Sequence, residues 1–184
     1  MNLRHLAFSL ALLAPFAAHA GSWSADPKSS TLGFSGIYQG AAFDGHFKTF
    51  DAAIAFDPAQ LATSRFDVKI TLASADTADS ERNDALRGAD FFDTAHTPVA
   101  TYTATHFRSL GGNRYAADGT LSLRGISKPV TLTFTWAAGA TPALVGDAAM
   151  NRLDFKVGGG QYADTSVIGN AIKVHTALKL VAGK

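Results

Sequence analysis

The 184-residue sequence contains no cysteine, which excludes disulfides, thiolate catalysis, Cys-bound zinc and iron–sulfur clusters. It has no large excess of charge of one sign, since it contains 16 Lys and Arg residues and 15 Asp and Glu residues. This balance argues against a nucleic-acid binder and against a polybasic membrane-surface protein. No stretch after residue 20 is apolar for long enough to span a bilayer, so we predict no stable membrane insertion.

The first twenty residues have the pattern of a secretory signal peptide. Arg4 and His5 form a short positive start, an apolar run follows, and Ala18-His19-Ala20 is an A-x-A cleavage site before Gly21. We therefore predict that residues 1–20 are a signal peptide cleaved after Ala20, and that residues 21–184 form one domain. An exported protein without cysteine is most simply periplasmic.

Alternation of apolar and polar residues dominates the rest of the chain and predicts antiparallel strands with one buried face. The clearest strands are Arg65–Leu72, Val130–Trp136 and Ile172–Leu180. Weaker runs are Thr31–Tyr38, Gly45–Phe56, Val99–Phe107, Tyr115–Leu123 and Leu144–Phe155. Gly111-Gly112-Asn113 and Asp118-Gly119 carry residues that favour turns. About eight strands at this spacing indicate an all-β sandwich or barrel.

One segment, residues 79–88, departs from this pattern and predicts a short helix. Asp79 or Ser80 can cap its first turn, and Gly88 lies where a helix C-terminus favours glycine. Two turns are too few for a helix that is stable alone in water. We expect the segment to dock on the sheet through Leu86, with Phe91 and Phe92 behind it.

Common enzyme motifs are absent: the sequence has no G-x-S-x-G elbow, P-loop, G-x-G-x-x-G or H-E-x-x-H. The four histidines after residue 20 are His46, His96, His106 and His175, and no two of them have metal-ligand spacing. We predict no catalytic residue, no metal and no cofactor. A Ser-His-Asp triad stays open, because its members meet in space rather than in sequence.

Phenylalanine is abundant, with 13 residues in the chain, two of which, Phe8 and Phe16, precede residue 21. Packing in the core explains the phenylalanines within strands. It explains less well those beside Gly-rich or charged turns, which could line the opening of a barrel. An eight-stranded barrel is either filled by side chains or holds one small ligand, and the pattern alone does not decide between the two.

Two arginines beside the charged turns, Arg82 and Arg152, have side chains suited to a phosphate or carboxylate. Alternatively, they pair with Asp90, Asp93 or Asp154 and fix the helix to the barrel rim. The candidate ligand contacts are Phe34, Phe43, Phe47, Leu86, Phe91, Phe92, Phe107, Phe134, Trp136, Phe155, Arg82 and Arg152.

Five segments in order resemble the YceI-like family. They are Trp23–Phe34, Phe43-Asp44-Gly45-His46-Phe47, Glu81–Asp93, Asp118–Val130 and Asn151-Arg152-Leu153-Asp154-Phe155. The resemblance implies a single extended, lipocalin-like antiparallel barrel that is exported in bacteria. It also implies binding of a long amphiphile in the barrel, such as a polyisoprenoid, an isoprenoid quinone or a fatty amide, without catalysis.

The sequence departs from the family pattern at three positions. Asn83 and Ala85 stand where the family has Asp and His, and Lys156 stands where it has Gly. Loss of the carboxylate beside Arg82 either frees that arginine for a ligand head group or loosens the helix.

The leading hypothesis is a periplasmic carrier or sequestering protein for a long apolar small molecule. The alternative is a protein-interaction module with a side-chain-filled barrel. A hydrolase or isomerase acting on a lipid would need a nucleophile and a base converging at the cavity mouth, and no pattern indicates them. A homodimer stays open.

Overall fold

A computed structural model describes residues 21–183 of the protein. The predicted signal peptide, residues 1–20, lies outside the described residues. Within residues 21–183, no helix is long and apolar enough to cross a membrane.

Antiparallel strands form nearly all of the regular structure in residues 21–183. They are β1 (Ser22–Ala25), β2 (Thr31–Tyr38), β3 (Ala41–Phe47), β4 (Phe50–Ala55), β5 (Arg65–Thr71), β6 (Ala75–Asp76), β7 (Val99–Gly111), β8 (Arg114–Leu123), β9 (Ile126–Ala137), β10 (Ala143–Asn151) and β11 (Ala171–Ala182). The α-helix α1 (Ser80–Arg87) lies between β6 and β7. Short 3₁₀ turns occupy Leu61–Thr63, Leu72–Ser74, Arg152–Phe155 and Gly160–Tyr162.

The sheet closes into a barrel because β11 pairs with strands from both ends of the chain. One edge of β11 pairs with β10, and its other edge pairs first with β2 and then with β1. Three positions in the barrel are each shared by two short strands. The first is shared by β1 and β2, the second by β3 and β4, and the third by β5 and β6. This follows from the pairing, because β2 pairs with β3 and β3 with β6, while β1 pairs with β4 and β4 with β5. With β7 to β11 they give eight positions, which confirms the predicted barrel with one short helix.

Alternation along each strand separates the interior from the solvent, as the sequence predicts. In β11 the side chains of Thr176, Leu178 and Leu180 are buried, whereas Lys173 and Lys179 are exposed. This register follows from the period of two along an extended chain, which sends successive side chains to opposite faces.

One predicted turn is confirmed and another is wrong. Gly111 and Gly112 have φ of 93° and 60° between β7 and β8. Asp118-Gly119 forms no turn, because Gly119 lies within β8 and pairs with Ala104 and Val130. The hairpin between β8 and β9 turns instead at Arg124-Gly125, where φ is 53° and 71°, as a two-residue hairpin loop requires.

Two further boundaries differ from the prediction. The strand expected over 144–155 ends at Asn151, since the chain enters a 3₁₀ turn at Arg152–Phe155. The run 45–56 is interrupted at Lys48 and Thr49, which bond instead to Ser74 and Thr71 of the neighbouring barrel position. The helix begins and ends as predicted, but Gly88 has φ of −65° and therefore supplies no left-handed cap.

Candidate ligand cavity

One end of the barrel interior is filled by aromatic side chains, here named the aromatic floor. It consists of Phe56, Phe66, Phe107, Tyr115, Phe134 and Trp136. The Phe56 ring lies 5.0 Å from both the Tyr115 and the Trp136 rings, and Phe66 lies 4.8 Å from Phe107, between ring centroids. These are the separations of rings in direct edge-to-face or tilted contact, so this end has no room for a ligand.

The other end of the interior contains a cavity of about 200 Å³. Its wall is formed by inward-facing residues of the strands, by Leu86 of α1 and by the segments 88–98 and 152–170. Nearly all of these side chains are apolar, and the exceptions are Tyr102, Arg152 and Thr176. The barrel is therefore hollow at one end and filled at the other.

Tyr102 turns its hydroxyl away from the cavity. The hydroxyl donates to the carbonyl oxygens of Ala117 at 2.9 Å and Val130 at 3.2 Å. Burial raises the pKa of Tyr102, so its phenol stays neutral at physiological pH. The ring itself contributes apolar wall.

Helix α1 is fixed at the hollow end by a cap and by a polar anchor. The Asp79 side chain accepts from the Arg82 backbone N–H at 3.0 Å, which is the predicted cap. The anchor is Asn83, whose Oδ1 accepts from the backbone N–H and hydroxyl of Thr77, both at 2.8 Å, while its Nδ2 donates to Asp76 at 3.0 Å. These bonds hold the buried Leu86 against the cavity.

Arg152 is the buried centre of the segment that follows it. The side chain is only 4% exposed, and its guanidinium donates to carbonyl oxygens at 2.5–3.0 Å. The acceptors are Val157, Gly158, Tyr162, Ile168 and Gly169. Among residues 21–183 it forms no ion pair, so its partners are carbonyls rather than the carboxylates that the sequence suggested. Burial lowers the pKa of the Arg152 guanidinium.

A second arginine, Arg124, joins the two segments at the hollow end. It donates to the carbonyl oxygens of Ala89 at 2.9 Å and Asp90 at 3.0 Å, and to that of Lys156 at 2.6 Å. The Gly158 backbone N–H donates to the Asp90 carbonyl at 2.7 Å. Segments 88–98 and 152–170 are thus one connected cover.

No arrangement for metal binding occurs in the described part of the chain, where no three His, Asp or Glu side chains come together. The two His–Asp pairs, His96 with Asp93 and His175 with Asp147, involve exposed histidines. Neither histidine is among the residues of the cavity wall.

Comparison with known proteins identifies the family of this chain. Residues 23–180 match the family model of the YceI-like domain. The chain belongs to the YceI-like domain family. A protein from Azotobacter vinelandii is 37% identical over 105 residues, which are 57% of this chain and 52% of that protein. The chain thus spans about half the length of that relative.

Two solved structures are similar to this chain over most of its length. Burkholderia cenocepacia BcnA is 32% identical, with a TM-score of 0.81 over 86% of this chain and 99% of that one. A polyisoprenoid binding domain from Saccharophagus degradans, implicated in plant cell wall breakdown, is 19% identical. Its TM-score is 0.68 over 90% of this chain and 99% of that one, which shows a shared fold.

The structure separates the twelve candidate ligand contacts into three groups. Those on the cavity wall are Phe34, Phe43, Phe47, Leu86, Phe91, Phe92, Phe155 and Arg152. Phe107, Phe134 and Trp136 belong to the aromatic floor. Arg82 lies outside the wall, where its guanidinium carbon is 5.1 Å from the centre of the Phe43 ring and its Nη2 is 3.3 Å from Asp79.

Two of the three departures from the YceI-like pattern can be followed in the structure, and nothing in it explains Ala85. Asn83 replaces the family's Asp and still anchors the helix, so the helix is not loosened there, and Arg82 pairs with Asp79 instead. Lys156 replaces the family's Gly at a left-handed position with φ of 56°. Glycine adopts that conformation without strain, and lysine does not.

The sequence analysis did not single out several wall residues. They are Ile70, Leu121, Val130, Leu132, Met150, Ile172 and Val174. Each of them lies on the apolar face of a strand, as the alternation of apolar and polar residues predicts. Residues of the aromatic floor show the same alternation, so the pattern does not distinguish residues that line the cavity from residues that fill the floor.

Proposed function

We propose that this YceI-like protein binds one long amphiphilic apolar molecule in the barrel cavity and acts as a carrier or sequestering protein without catalysis. The observation that carries the proposal is a cavity whose wall is almost entirely apolar. Burying roughly 300 Å² of a hydrocarbon chain at about 25 cal/mol per Å² contributes about 7 kcal/mol before the costs of association.

The cavity of about 200 Å³ holds only part of a long chain. An apolar cavity of about 150 Å³ accepts a molecule the size of benzene. The rest of the ligand therefore leaves through the cover, or enters after the half-buried rings of Phe43, Phe47 and Phe91 move. We propose that these three rings move to admit the ligand, because they are half-buried whereas the rings of the aromatic floor pack against one another.

The ligand classes we propose are a polyisoprenoid, an isoprenoid quinone or a fatty amide. The Saccharophagus degradans domain, which shares the fold, is a polyisoprenoid binding domain. A wall without free hydrogen-bond donors suits such apolar chains. All three classes are compatible with it, because apolar surfaces discriminate weakly between chains of similar length.

We further propose that the protein works in the periplasm after cleavage following Ala20. The basis is the A-x-A site before Gly21. Intact-mass measurement of the protein from a periplasmic extract should give a chain beginning at Gly21, and a chain that retains residues 1–20 would contradict this part of the proposal.

The test of binding compares two tryptophan substitutions at adjacent positions of β10. Ala148 lies on the cavity wall and Ala149 is exposed on the outer face. Ala148→Trp should fill the cavity, whereas Ala149→Trp should leave it open. We expect organic extraction and mass spectrometry to find a long-chain lipid in the wild-type protein and in Ala149→Trp, and at least tenfold less in Ala148→Trp.

Thermal unfolding of both variants serves as the control for correct folding. A wild-type protein that carries no lipid and takes up none from liposomes would overturn the proposal. Equal lipid content in the two tryptophan variants would do so as well.

A further inference from the structure

Exposed apolar side chains gather at the hollow end of the barrel. Among residues 21–183, eight large apolar side chains are exposed, and four of them lie on the end of β2 and on the cover segment 152–170. Single exposed apolar residues are ordinary on a protein surface, whereas several at one place indicate a contact surface. We name these four the rim patch, and they are Ile37, Tyr38, Tyr162 and Val167.

Backbone hydrogen bonds hold the two segments of the rim patch side by side. The Gln39 N–H donates to the Val167 carbonyl oxygen at 2.7 Å, and the Gly169 N–H donates to that of Ile37 at 2.9 Å. The approach is close, because a Cβ built on Gly169 would be 3.1 Å from the Cβ of Ile37. The exposed side chains of both segments therefore belong to one surface.

The rim patch adjoins the cavity. Ile168, which lies between Val167 and Gly169 in the chain, is a residue of the cavity wall. The Tyr162 ring lies 5.1 Å, between centroids, from the ring of Phe91, which is also on the wall. Apolar surface thus continues from the inside of the barrel to its outside, and a chain that leaves past Phe91 stays in contact with apolar side chains.

Charged residues are nearly absent from the two segments. The sequence has none between Lys28 and Asp44, and it has only Asp164 between Lys156 and Lys173. The rim patch therefore lacks the basic cluster that attracts anionic lipids or nucleic acid. It also has few charges to desolvate on burial. A neutral surface with two tyrosines matches an electrically neutral bilayer, since tyrosine is favoured at the interface between membrane and water.

The size of the rim patch favours a bilayer over a protein partner. Its four side chains expose on the order of 300 Å². A stable protein interface buries about 800 Å² on each partner, so the rim patch alone is too small for a second copy of this chain. Binding to a bilayer has no such threshold, because its strength increases with the apolar area that enters the interface.

We propose that the rim patch docks reversibly on the surface of an electrically neutral phospholipid bilayer. Docking holds the hollow end of the barrel against the membrane, so that a long apolar molecule passes between bilayer and cavity without crossing water. The docking goes beyond the proposed function and depends on the rim patch alone. Only the passage of the molecule rests on the proposed function.

The test measures cosedimentation with phosphatidylcholine vesicles for two matched substitutions. Val167→Asp places a charge in the rim patch. Val145→Asp places the same charge on an even more exposed valine, 55% against 41%, whose neighbour Leu144 pairs with Trp136 of the aromatic floor. We expect wild type and Val145→Asp to bind alike, and Val167→Asp to bind at least tenfold more weakly. Equal binding by the two variants would overturn the docking.

The sign of the charge should not matter. Val167→Lys should weaken binding as Val167→Asp does, because both remove apolar contact. Anionic phosphatidylglycerol in the vesicles should change wild-type binding less than about twofold, since the rim patch has no basic cluster. Val167→Lys that binds phosphatidylcholine as wild type does would contradict an apolar contact.

The cavity-filling variant Ala148→Trp separates docking from lipid uptake. It leaves the rim patch intact, so its binding to vesicles should stay within about twofold of wild type. Loss of binding in Ala148→Trp as well as in Val167→Asp would overturn the docking, because uptake into the cavity would then be the cause. A wild-type protein that carries lipid but binds no vesicle overturns the docking alone. Vesicle binding by a protein that never carries lipid overturns only the proposed function.

Two further measurements cover self-association and misfolding. Analytical ultracentrifugation should show a wild-type monomer, and a dimer that Val167→Asp dissociates would assign the rim patch to a second copy instead. If Val167→Asp does not fold, Val167→Trp decides the matter by fluorescence. Its emission should shift to shorter wavelength when vesicles are added, and that of Val145→Trp should not. An unchanged emission of Val167→Trp would overturn the docking.

Discussion

The Tyr102 ring lies in the space that a side chain at Gly119 would occupy. A Cβ built on Gly119 would be 2.5 Å from Cζ of Tyr102. Because Gly119 has no side chain, the phenol can cross β8 and bond to the Ala117 carbonyl at 2.9 Å. The glycine that suggested a turn in the sequence is therefore a packing residue inside a strand.

Gly119→Ala should destabilise the protein, since the ring of Tyr102 must shift and its hydroxyl lose its partner. Overpacking of this kind costs about 1–3 kcal/mol. Urea unfolding measures the loss. Gly159→Ala is the control, because its new Cβ would be 3.6 Å from the nearest atom at a φ of −79°. Equal stability of the two variants would show that Tyr102 adapts without cost.

Asn83→Ala should loosen α1. The change leaves the backbone N–H of the buried Thr77 without its acceptor, which costs about 1–3 kcal/mol. Amide hydrogen exchange in residues 80–87 should become faster. Asp84→Ala removes only an exposed ion pair with Arg87, so its effect should stay below about 1 kcal/mol. Unchanged exchange in Asn83→Ala would contradict the role of this anchor.

Lys156→Gly should stabilise the protein. A residue with a Cβ costs about 1–2 kcal/mol in the left-handed conformation, and the φ of Lys156 is 56°. Because glycine also gains entropy in the unfolded chain, we expect a net gain of up to about 1 kcal/mol in the free energy of unfolding. Lys128→Gly, in β9, should lose about 0.5–1 kcal/mol instead. A loss in both variants would contradict strain at Lys156.

Acid should selectively remove the contribution of Asp118. Hydrogen bonds from Arg108 and then Thr131 lower the pKa of this carboxyl from 3.8 to about 2 in the folded state. Because the folded pKa is the lower one, the stabilisation is complete above the unfolded value and is lost as the pH falls toward 2.

We therefore expect wild type to exceed Asp118→Asn in the free energy of unfolding at pH 6, and the difference to shrink at pH 2.5. The pair is largely solvated, so the difference at pH 6 should be at most about 1 kcal/mol. Arg108→Met should show the same pH dependence. A difference that does not change with pH would exclude this ion pair as its source.

The sequence predicted the barrel because alternation is a local property that each strand carries by itself. Thr31–Tyr38 was predicted with the bounds that β2 has, and the cap at Asp79 also follows from neighbouring residues. The interruption at Lys48 and Thr49 did not follow, since these residues bond to Ser74 and Thr71 across the sheet. Strand breaks of this kind depend on partners that are distant in sequence.

The candidate site could be predicted only in part. The phenylalanines beside turns, such as Phe43 and Phe91, lie on the cavity wall. Phe107 and Phe134 were also candidate ligand contacts, but they lie in the floor. The role of Arg152 was also hidden, because its acceptors are carbonyl groups whose positions exist only in the folded chain. Every residue has a backbone carbonyl, so the residue types in the sequence do not indicate which carbonyls will accept hydrogen bonds from an arginine.

The division of the barrel into a packed floor and an open end has a consequence for how such a protein can change over time. The rings that meet around Phe56 make the contacts on which folding depends, and truncating a ring of this kind costs about 3–5 kcal/mol. Ala148 and the partly exposed rings of the open end are under weaker constraint. Under the proposed function, mutations there can change which ligand is bound while the barrel stays folded.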